Sequence, residues 1–85
     1  MKINEIVAAV IENTLTQGGK KYTQTMIAEE LDVKPQHISD RLKNENMKVN
    51  TVIEMLNLMG YDLAVQPRES GRESYVVEKG GLREK

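Results

Sequence analysis

The sequence predicts a small, mainly α-helical domain that ends in a β-hairpin. Apolar residues recur at helical spacing in four stretches between Ile3 and Met59. Glycine, proline and short polar segments separate these stretches. From Tyr61 onwards, apolar and polar residues alternate, as is typical of strands. We therefore expect a helical domain over residues 1–60 and a hairpin over residues 61–78.

Length and composition restrict the class of protein. The 85 residues form one small domain, and 13 acidic against 12 basic residues give a formal net charge of −1. Such a domain has a thin core and often gains stability by association. The chain has no Cys, Phe or Trp, which excludes disulfides and thiolate metal sites and predicts an aliphatic, methionine-filled core. No apolar run approaches the roughly 20 residues that span a bilayer, so we expect a cytoplasmic location without a signal peptide.

Apolar stripes predict the first and the last of the four helices. The first is expected over residues 2–16, with Asn4 as N-cap or first-turn residue and Gly18 at the C-cap. Its stripe consists of Ile3, Ile6, Val7, Val10 and Ile11. The last helix is expected to begin at Asn50, as its N-cap, and to end at Gly60. Its buried face consists of Val52, Ile53, Leu56 and Met59.

Between them, the stretch from Thr23 to Leu42 predicts two short helices joined by a tight turn. The Thr23 hydroxyl can accept from the open amides of the first turn. Asp32 ends the first helix, and Pro35 suits the first position of the second. Ala28 is small enough for the two helices to cross closely. The apolar residues of the pair are Ile27, Ala28, Leu31, Ile38 and Leu42.

This stretch resembles the helix-turn-helix of the Xre/Cro family, also called lambda-repressor-like. The resemblance lies in the pattern Gln24-x-x-Ile27-Ala28-x-x-Leu31-x-Val33-x-x-x-x-Ile38-Ser39 and covers roughly residues 23–61. The sequence departs from the family at Asp32, where Gly is usual, and at Arg41, where an apolar residue or Trp is frequent. Asp tolerates the positive φ of that turn better than most residues do. The resemblance implies a four-helix lambda-repressor-like domain that binds DNA.

If the helix that begins at Pro35 enters a major groove, its N-terminal residues face the base edges. The implied base contacts are Lys34, Gln36, His37 and Asp40. Gln36 can pair with adenine N6 and N7, and Lys34 with guanine O6 and N7. Asp40 can accept from cytosine N4 or orient Lys43 or Arg41. The expected phosphate contacts are Lys20, Lys21, Tyr22, Gln24, Ser39, Lys43, Asn44, Lys48 and Asn50. For each side chain the alternative is a solvated surface position, and for Tyr22 it is packing ahead of the helix.

The charge distribution favours such a surface more than the net charge does. Residues 34–48 carry four basic side chains against two acidic ones, Asp40 and Glu45. The second helix of the pair and the loop after it therefore form a locally positive face.

A two-stranded hairpin is marginal in water and must rest on another surface. The simplest partner is the same segment of a second subunit across a twofold axis, so we expect a homodimer. The expected dimerisation residues are Tyr61, Leu63, Val65, Tyr75, Val76 and Val77. Residues 79–85 are expected to form a flexible, frayed tail.

The expected function is that of a transcriptional repressor of the phage or mobile-element type, which binds an inverted-repeat operator in double-stranded DNA as a homodimer. One alternative is the antitoxin of a toxin–antitoxin pair, which regulates its own gene and binds a toxin. Another is a phage anti-defence protein that uses the same scaffold to bind protein. With one His, no Cys and no metal-ligand spacing or phosphate loop, we expect no enzyme, no cofactor, no metal and no membrane partner.

Overall fold

Four helices are followed by an antiparallel sheet in the computed structural model, which describes residues 1–69, 71–79 and 81–84. The elements are α1 (Ile3–Asn13), α2 (Gln24–Leu31), α3 (Pro35–Lys43), α4 (Val49–Leu58), β1 (Leu63–Val65), β2 (Tyr75–Glu78) and β3 (Gly81–Glu84). The strand order is β1-β2-β3. The predicted mainly helical fold and the predicted pairing within residues 61–78 are therefore confirmed. None of the helices in the described ranges has the length and apolar character needed to cross a membrane.

Residues close in sequence determine the ends of α2 and the start of α3. The Thr23 hydroxyl accepts from the Met26 amide at 3.1 Å and caps α2. Asp32 adopts the left-handed conformation (φ 55°, ψ 47°) at the end of α2. The Val33 amide then donates to the Ala28 carbonyl at 2.9 Å, which closes the helix in a Schellman arrangement. Pro35 occupies the first turn of α3, where it needs no amide hydrogen. The cap at Thr23, the helix end at Asp32 and the place of Pro35 were predicted, whereas the bond between Val33 and Ala28 was not.

The left-handed conformation of Asp32 gives a test of this turn. Asp32→Val should lower the free energy of unfolding by about 1–2 kcal/mol, because a β-branched side chain is strained at positive φ. Asp32→Gly should leave it nearly unchanged, because relief of strain offsets the greater freedom of the unfolded chain. Asp32 is exposed, so neither change disturbs packing. Urea unfolding gives the free energy of unfolding of both variants. Equal values for Asp32→Val and Asp32→Gly would contradict the left-handed conformation of residue 32.

The core lies where the four helices meet. Its buried side chains are Val7, Ile11, Ile27, Ala28, Ile38, Val52, Met55, Leu56 and Met59. Ala28 is fully buried in the same cluster as Ile38, and its small side chain allows α2 and α3 to approach closely. Met47 is half-buried against the cluster. The predicted methionine-filled aliphatic core is thus present.

The sheet rests on α4 of the same chain. Both β1 and β2 contact α4, and Val76 is only 4% exposed. Leu63 packs against the helical core, and the Lys79 ammonium forms an ion pair with Glu54 of α4. The hairpin therefore has a supporting surface without a second subunit.

Helix α1 ends earlier than predicted. It ends at Asn13 with Thr14 as the C-cap, so the prediction of Gly18 at the C-cap is wrong. Leu15 instead pairs with Lys21 in an isolated antiparallel bridge, and the Thr16 amide donates to the Lys20 carbonyl at 2.7 Å. The backbone groups of Leu15 and Thr16 that form this pairing are the ones that a further turn of α1 would need, so the helix ends before them.

Helix α4 begins one residue before the expected cap. Lys48 is the N-cap and Val49 the first helical residue, so Asn50 lies in the first turn and the prediction that it caps the helix is wrong. At the other end Gly60 follows the helix with φ 85°, as expected for a terminating glycine.

The prediction of a frayed tail over residues 79–85 is wrong for Gly81–Glu84. These residues form β3 and pair with β2, from Tyr75↔Glu84 to Glu78↔Gly81. The physical reason is that β2 has two hydrogen-bonding edges, and β1 occupies only one of them. Gly80 and Lys85, which belong to the same prediction, lie outside the described residues.

Candidate nucleic-acid interface

Helix α3 has one buried side and one exposed polar side. Ile38 is fully buried and Leu42 is half-buried, and their spacing of four residues places them on the same face. Gln36, Asp40 and Lys43 follow one line along the opposite face and are all exposed. Helix α3 thus presents a row of polar side chains at the surface, which we call the α3 ridge.

The four predicted base-contact residues lie at or near this ridge. Lys34 is the N-cap of α3, Gln36 and His37 lie in its first turn, and Asp40 lies one turn further along. All four are exposed, so the structure leaves each of them accessible to a ligand.

A hydrogen bond orders the centre of the α3 ridge. The Gln36 Nε2 donates to the Asp40 Oδ1 at 2.9 Å. An ionised carboxylate accepts only, so the NH2 group of Gln36 must face Asp40, and this fixes which way the amide points. Asp40 forms no ion pair with Lys43 or Arg41 in the described part of the chain. The predicted orientation of Lys43 or Arg41 by Asp40 is therefore not seen, and Asp40 instead accepts from Gln36, which was not predicted.

The predicted phosphate contacts lie ahead of α2 and at its start, on α3, and from the end of α3 to the first turn of α4. The exposed ones are Lys20, Lys21, Gln24, Lys43, Asn44, Lys48 and Asn50, and the half-buried ones are Tyr22 and Ser39. Tyr22 packs against the core just ahead of α2, so its ring has the packing role that was the alternative. Asn44 and Lys48 line one recess together with Arg41 and Thr51.

Sequence reasoning did not include Arg41 and Thr51 among the contacts. Arg41 was counted only among the basic residues of the positive face; a further signal is that it takes a position where the resembling family often has an apolar side chain. It indicates a polar environment at that point of α3, but it does not identify the neighbours on α4.

The predicted dimerisation residues divide between the two faces of the sheet. Leu63 pairs with Val77, and Val65 pairs with Tyr75, so these four side chains share one face. Val65 is 52% exposed and Tyr75 38% exposed, and Tyr61 nearby in the chain is 45% exposed. Val76 belongs to the opposite face and is buried within its own chain. Because Val76 is only 4% exposed within its own chain, it is not available for the dimer contact that was predicted.

A second, open recess of about 480 Å³ lies beside α2, away from the α3 ridge in sequence. Tyr22, Met26 and Leu58 give it an apolar part, and Glu29 and Glu30 an acidic part. Within the described ranges no three His, Asp or Glu side chains come together as a set of metal ligands.

The geometry defines what this surface can do chemically. Gln36 on the α3 ridge and Lys34 beside it offer donors, and Gln36 and Asp40 offer acceptors, which are the types of group that pair with base edges. An α-helix has the width of the major groove of B-DNA. Comparisons with protein-family models, curated proteins and solved structures found no match for this chain.

Proposed function

We propose that this protein is a sequence-specific regulator that binds double-stranded DNA as a homodimer on an inverted-repeat operator. The observation that carries the proposal is the α3 ridge. Ile38 anchors one side of α3 in the core, while the other side holds Gln36 and Asp40 at the surface in a defined arrangement. The preceding helix α2 and the short turn at Asp32 support the interpretation as a helix-turn-helix.

The charges predict how such binding depends on salt. The net charge is only −1, but residues 34–48 have two more basic than acidic side chains. Affinity for unrelated duplexes should therefore be modest and should fall steeply as the salt concentration rises. Discrimination between sequences would come from the α3 ridge.

The decisive experiment is selection of bound sequences from a random duplex library, followed by sizing of the protein free and bound. We expect an enriched inverted repeat whose half-sites are about 34 Å apart, or a multiple of that spacing. Failure to enrich any sequence, together with no salt-dependent affinity for duplex DNA, would overturn the proposal. A protein that co-purifies at fixed stoichiometry with duplex binding intact would favour the antitoxin alternative. The same partner without duplex binding would favour the anti-defence alternative.

The exposed part of this sheet face, at Val65 and Tyr75 with Tyr61 nearby in the chain, is the proposed dimer contact, and Val65→Lys tests it. A lysine among the apolar side chains of Val65, Tyr75 and Tyr61 should convert the dimer to a monomer, because its charge would be buried in the contact. Sedimentation equilibrium measures the change in mass. Leu15→Lys, an equal substitution at an exposed leucine outside the sheet, should leave the mass unchanged. A Val65→Lys variant that still dimerises like the parent would rule out this face.

A further inference from the structure

Two side-chain contacts join the start of α1 to the end of α3. The Asn4 Nδ2 donates to the Leu42 carbonyl at 3.0 Å, although the two residues are 38 positions apart in sequence. The Lys2 Nζ lies 2.5 Å from the Glu45 Oε1, across 43 positions. Leu42 lies in the last turn of α3 and Glu45 in the loop after it. The start of α1 is therefore tied to the end of the helix that carries the α3 ridge.

The Leu42 carbonyl needs a donor from outside its own helix. The last four carbonyls of a helix have no partner within it. The Asn44 amide donates to the Arg41 carbonyl at 3.1 Å. The Asn46 amide, which would reach Leu42 if the helix continued, donates instead to the Asn44 Oδ1 at 2.9 Å. Asn4 thus closes the end of α3 from a different helix.

Asn4 reaches this carbonyl from the buried side of α1. It is half-buried and lies on the same side of the helix as Val7 and Ile11, which are both buried. A carbonyl only accepts, so the NH2 group of Asn4 must face Leu42. The Asn4 Oδ1 is then left buried, without a hydrogen-bond partner in the described part of the chain.

The unpaired oxygen indicates that stability alone does not account for an asparagine at this position. A buried acceptor without a donor is unfavourable. A leucine of similar size would avoid it and would extend the apolar side formed by Val7 and Ile11. What a leucine would not supply is the bond to Leu42. In other packed helices a single buried asparagine fixes how the helices lie relative to each other.

The ion pair adds less to this tie than the hydrogen bond does. The side chains of Lys2 and Glu45 are each 58% exposed. Exposed ion pairs contribute little to stability, and salt screens them further. The placement of the end of α3 relative to α1 therefore depends mainly on Asn4.

The other contacts of α3 leave its tilt less defined. Ile38 is fully buried and Leu42 is half-buried against the core, so apolar contacts hold one side of this nine-residue helix. Apolar contacts are not directional, whereas a hydrogen bond depends on both distance and angle. The bond from Asn4 is thus the contact that fixes the C-terminal end of α3, and with it the direction in which Gln36 and Asp40 project.

We infer that Asn4 is a positioning residue for the reading of DNA by α3. It sets the tilt of the α3 ridge and acts through α3, not by contact with the duplex. The inference rests on the proposed function, because it requires the α3 ridge to read base edges. Base readout depends on the direction of donors and acceptors, while phosphate contacts carry no sequence information. Loss of the bond from Asn4 should therefore reduce discrimination between sequences.

The first measurement is amide hydrogen exchange of the full chain without DNA. Asn4→Leu keeps the size of the side chain and removes the donor to Leu42. The amides in the last turn of α3 should exchange about three- to tenfold faster, as expected for the loss of one ordinary hydrogen bond. The amides of α2 should exchange as in the parent. A variant that only lowered the overall stability would accelerate exchange in both helices.

The second measurement is the ratio of the affinities for the selected operator and for an unrelated duplex. Asn4→Leu should lower this ratio about three- to tenfold, since operator binding weakens and unrelated binding does not. Asn4→Asp serves as a second variant with the same expected fall. It places acceptors against the Leu42 carbonyl, and a carboxylate is favourable in the first turn of a helix, so this variant should fold.

Asn13→Leu is the matched control. The Asn13 Nδ2 also donates to a backbone carbonyl, that of Ala9 at 2.8 Å, but this bond lies within α1. The same substitution therefore removes the same kind of bond without releasing α3. Exchange at the end of α3 and the affinity ratio should both stay at the values of the parent.

The outcomes separate this inference from the proposed function. Faster exchange at the end of α3 together with a lower affinity ratio in Asn4→Leu supports the positioning role. An unchanged ratio in a parent that reads its operator overturns the role and leaves the proposed function standing. A lower ratio without faster exchange also overturns it, because Asn4 would then act by direct contact. A parent protein that discriminates no sequence overturns the proposed function and the role of Asn4 with it.

Discussion

Replacement of Ile38 by alanine is expected to lower the free energy of unfolding by about 2–5 kcal/mol. Ile38 is fully buried in the central cluster, and its truncation would leave a cavity between α3 and its neighbours. A domain of this size has a total stability of only roughly 4–13 kcal/mol, so the loss would be a large part of it. Urea denaturation followed by circular dichroism gives the value.

Ile6→Ala is the matched control for this prediction. Ile6 belongs to α1 but is 39% exposed, so the same truncation removes less buried surface and leaves no closed cavity. Ile6→Ala should lower the free energy of unfolding by about 1 kcal/mol or less. Similar losses for Ile38→Ala and Ile6→Ala would mean that α3 is not anchored through Ile38.

The second large effect concerns Gln36. Gln36→Ala should weaken binding to the selected operator by roughly 1–3 kcal/mol and relax the preference at one base pair. Binding to unrelated duplexes should hardly change, because Gln36 carries no charge and is proposed to contact a base edge and not the backbone. Titrations of both duplexes with parent and variant measure this difference.

Two further variants sharpen this test. Gln66→Ala, at an exposed glutamine that follows β1, should bind the operator like the parent. Asp40→Ala should also relax the preference at the Gln36 base pair, because the amide loses the acceptor that orients it. In a double-mutant cycle the two losses should be non-additive. Unchanged operator affinity in Gln36→Ala would show that this side chain does not read a base.

Much of the helical region is predictable because short-range chemistry controls it. Thr23, Asp32 and Pro35 determine the limits of α2 and α3 through contacts within a few residues, and the structure has these features as expected. Apolar spacing likewise identifies Ile38 as buried. The limits of α1 were less predictable, since the bridge between Leu15 and Lys21 depends on how the chain folds back.

The candidate surface was predictable in part. Exposure of Lys34, Gln36 and His37 follows from the helical period once Ile38 is placed inside. Gln36 and Asp40 are one helical turn apart, so the sequence permits a hydrogen bond between them. It equally permits an ion pair between Asp40 and Lys43, which is also about one turn away. The side-chain rotamers on this exposed face make that choice.

Caps and apolar periodicity act over one or two turns, so the amino-acid sequence alone predicts that four helices form and which side of each is apolar, although not every helix end. Packing of the whole chain, in contrast, buries Val76, adds Gly81–Glu84 as a third strand and brings Arg41 into one recess with Lys48 and Thr51. These contacts join elements whose relative positions depend on packing of the whole core. A pattern of neighbouring residues does not contain that information.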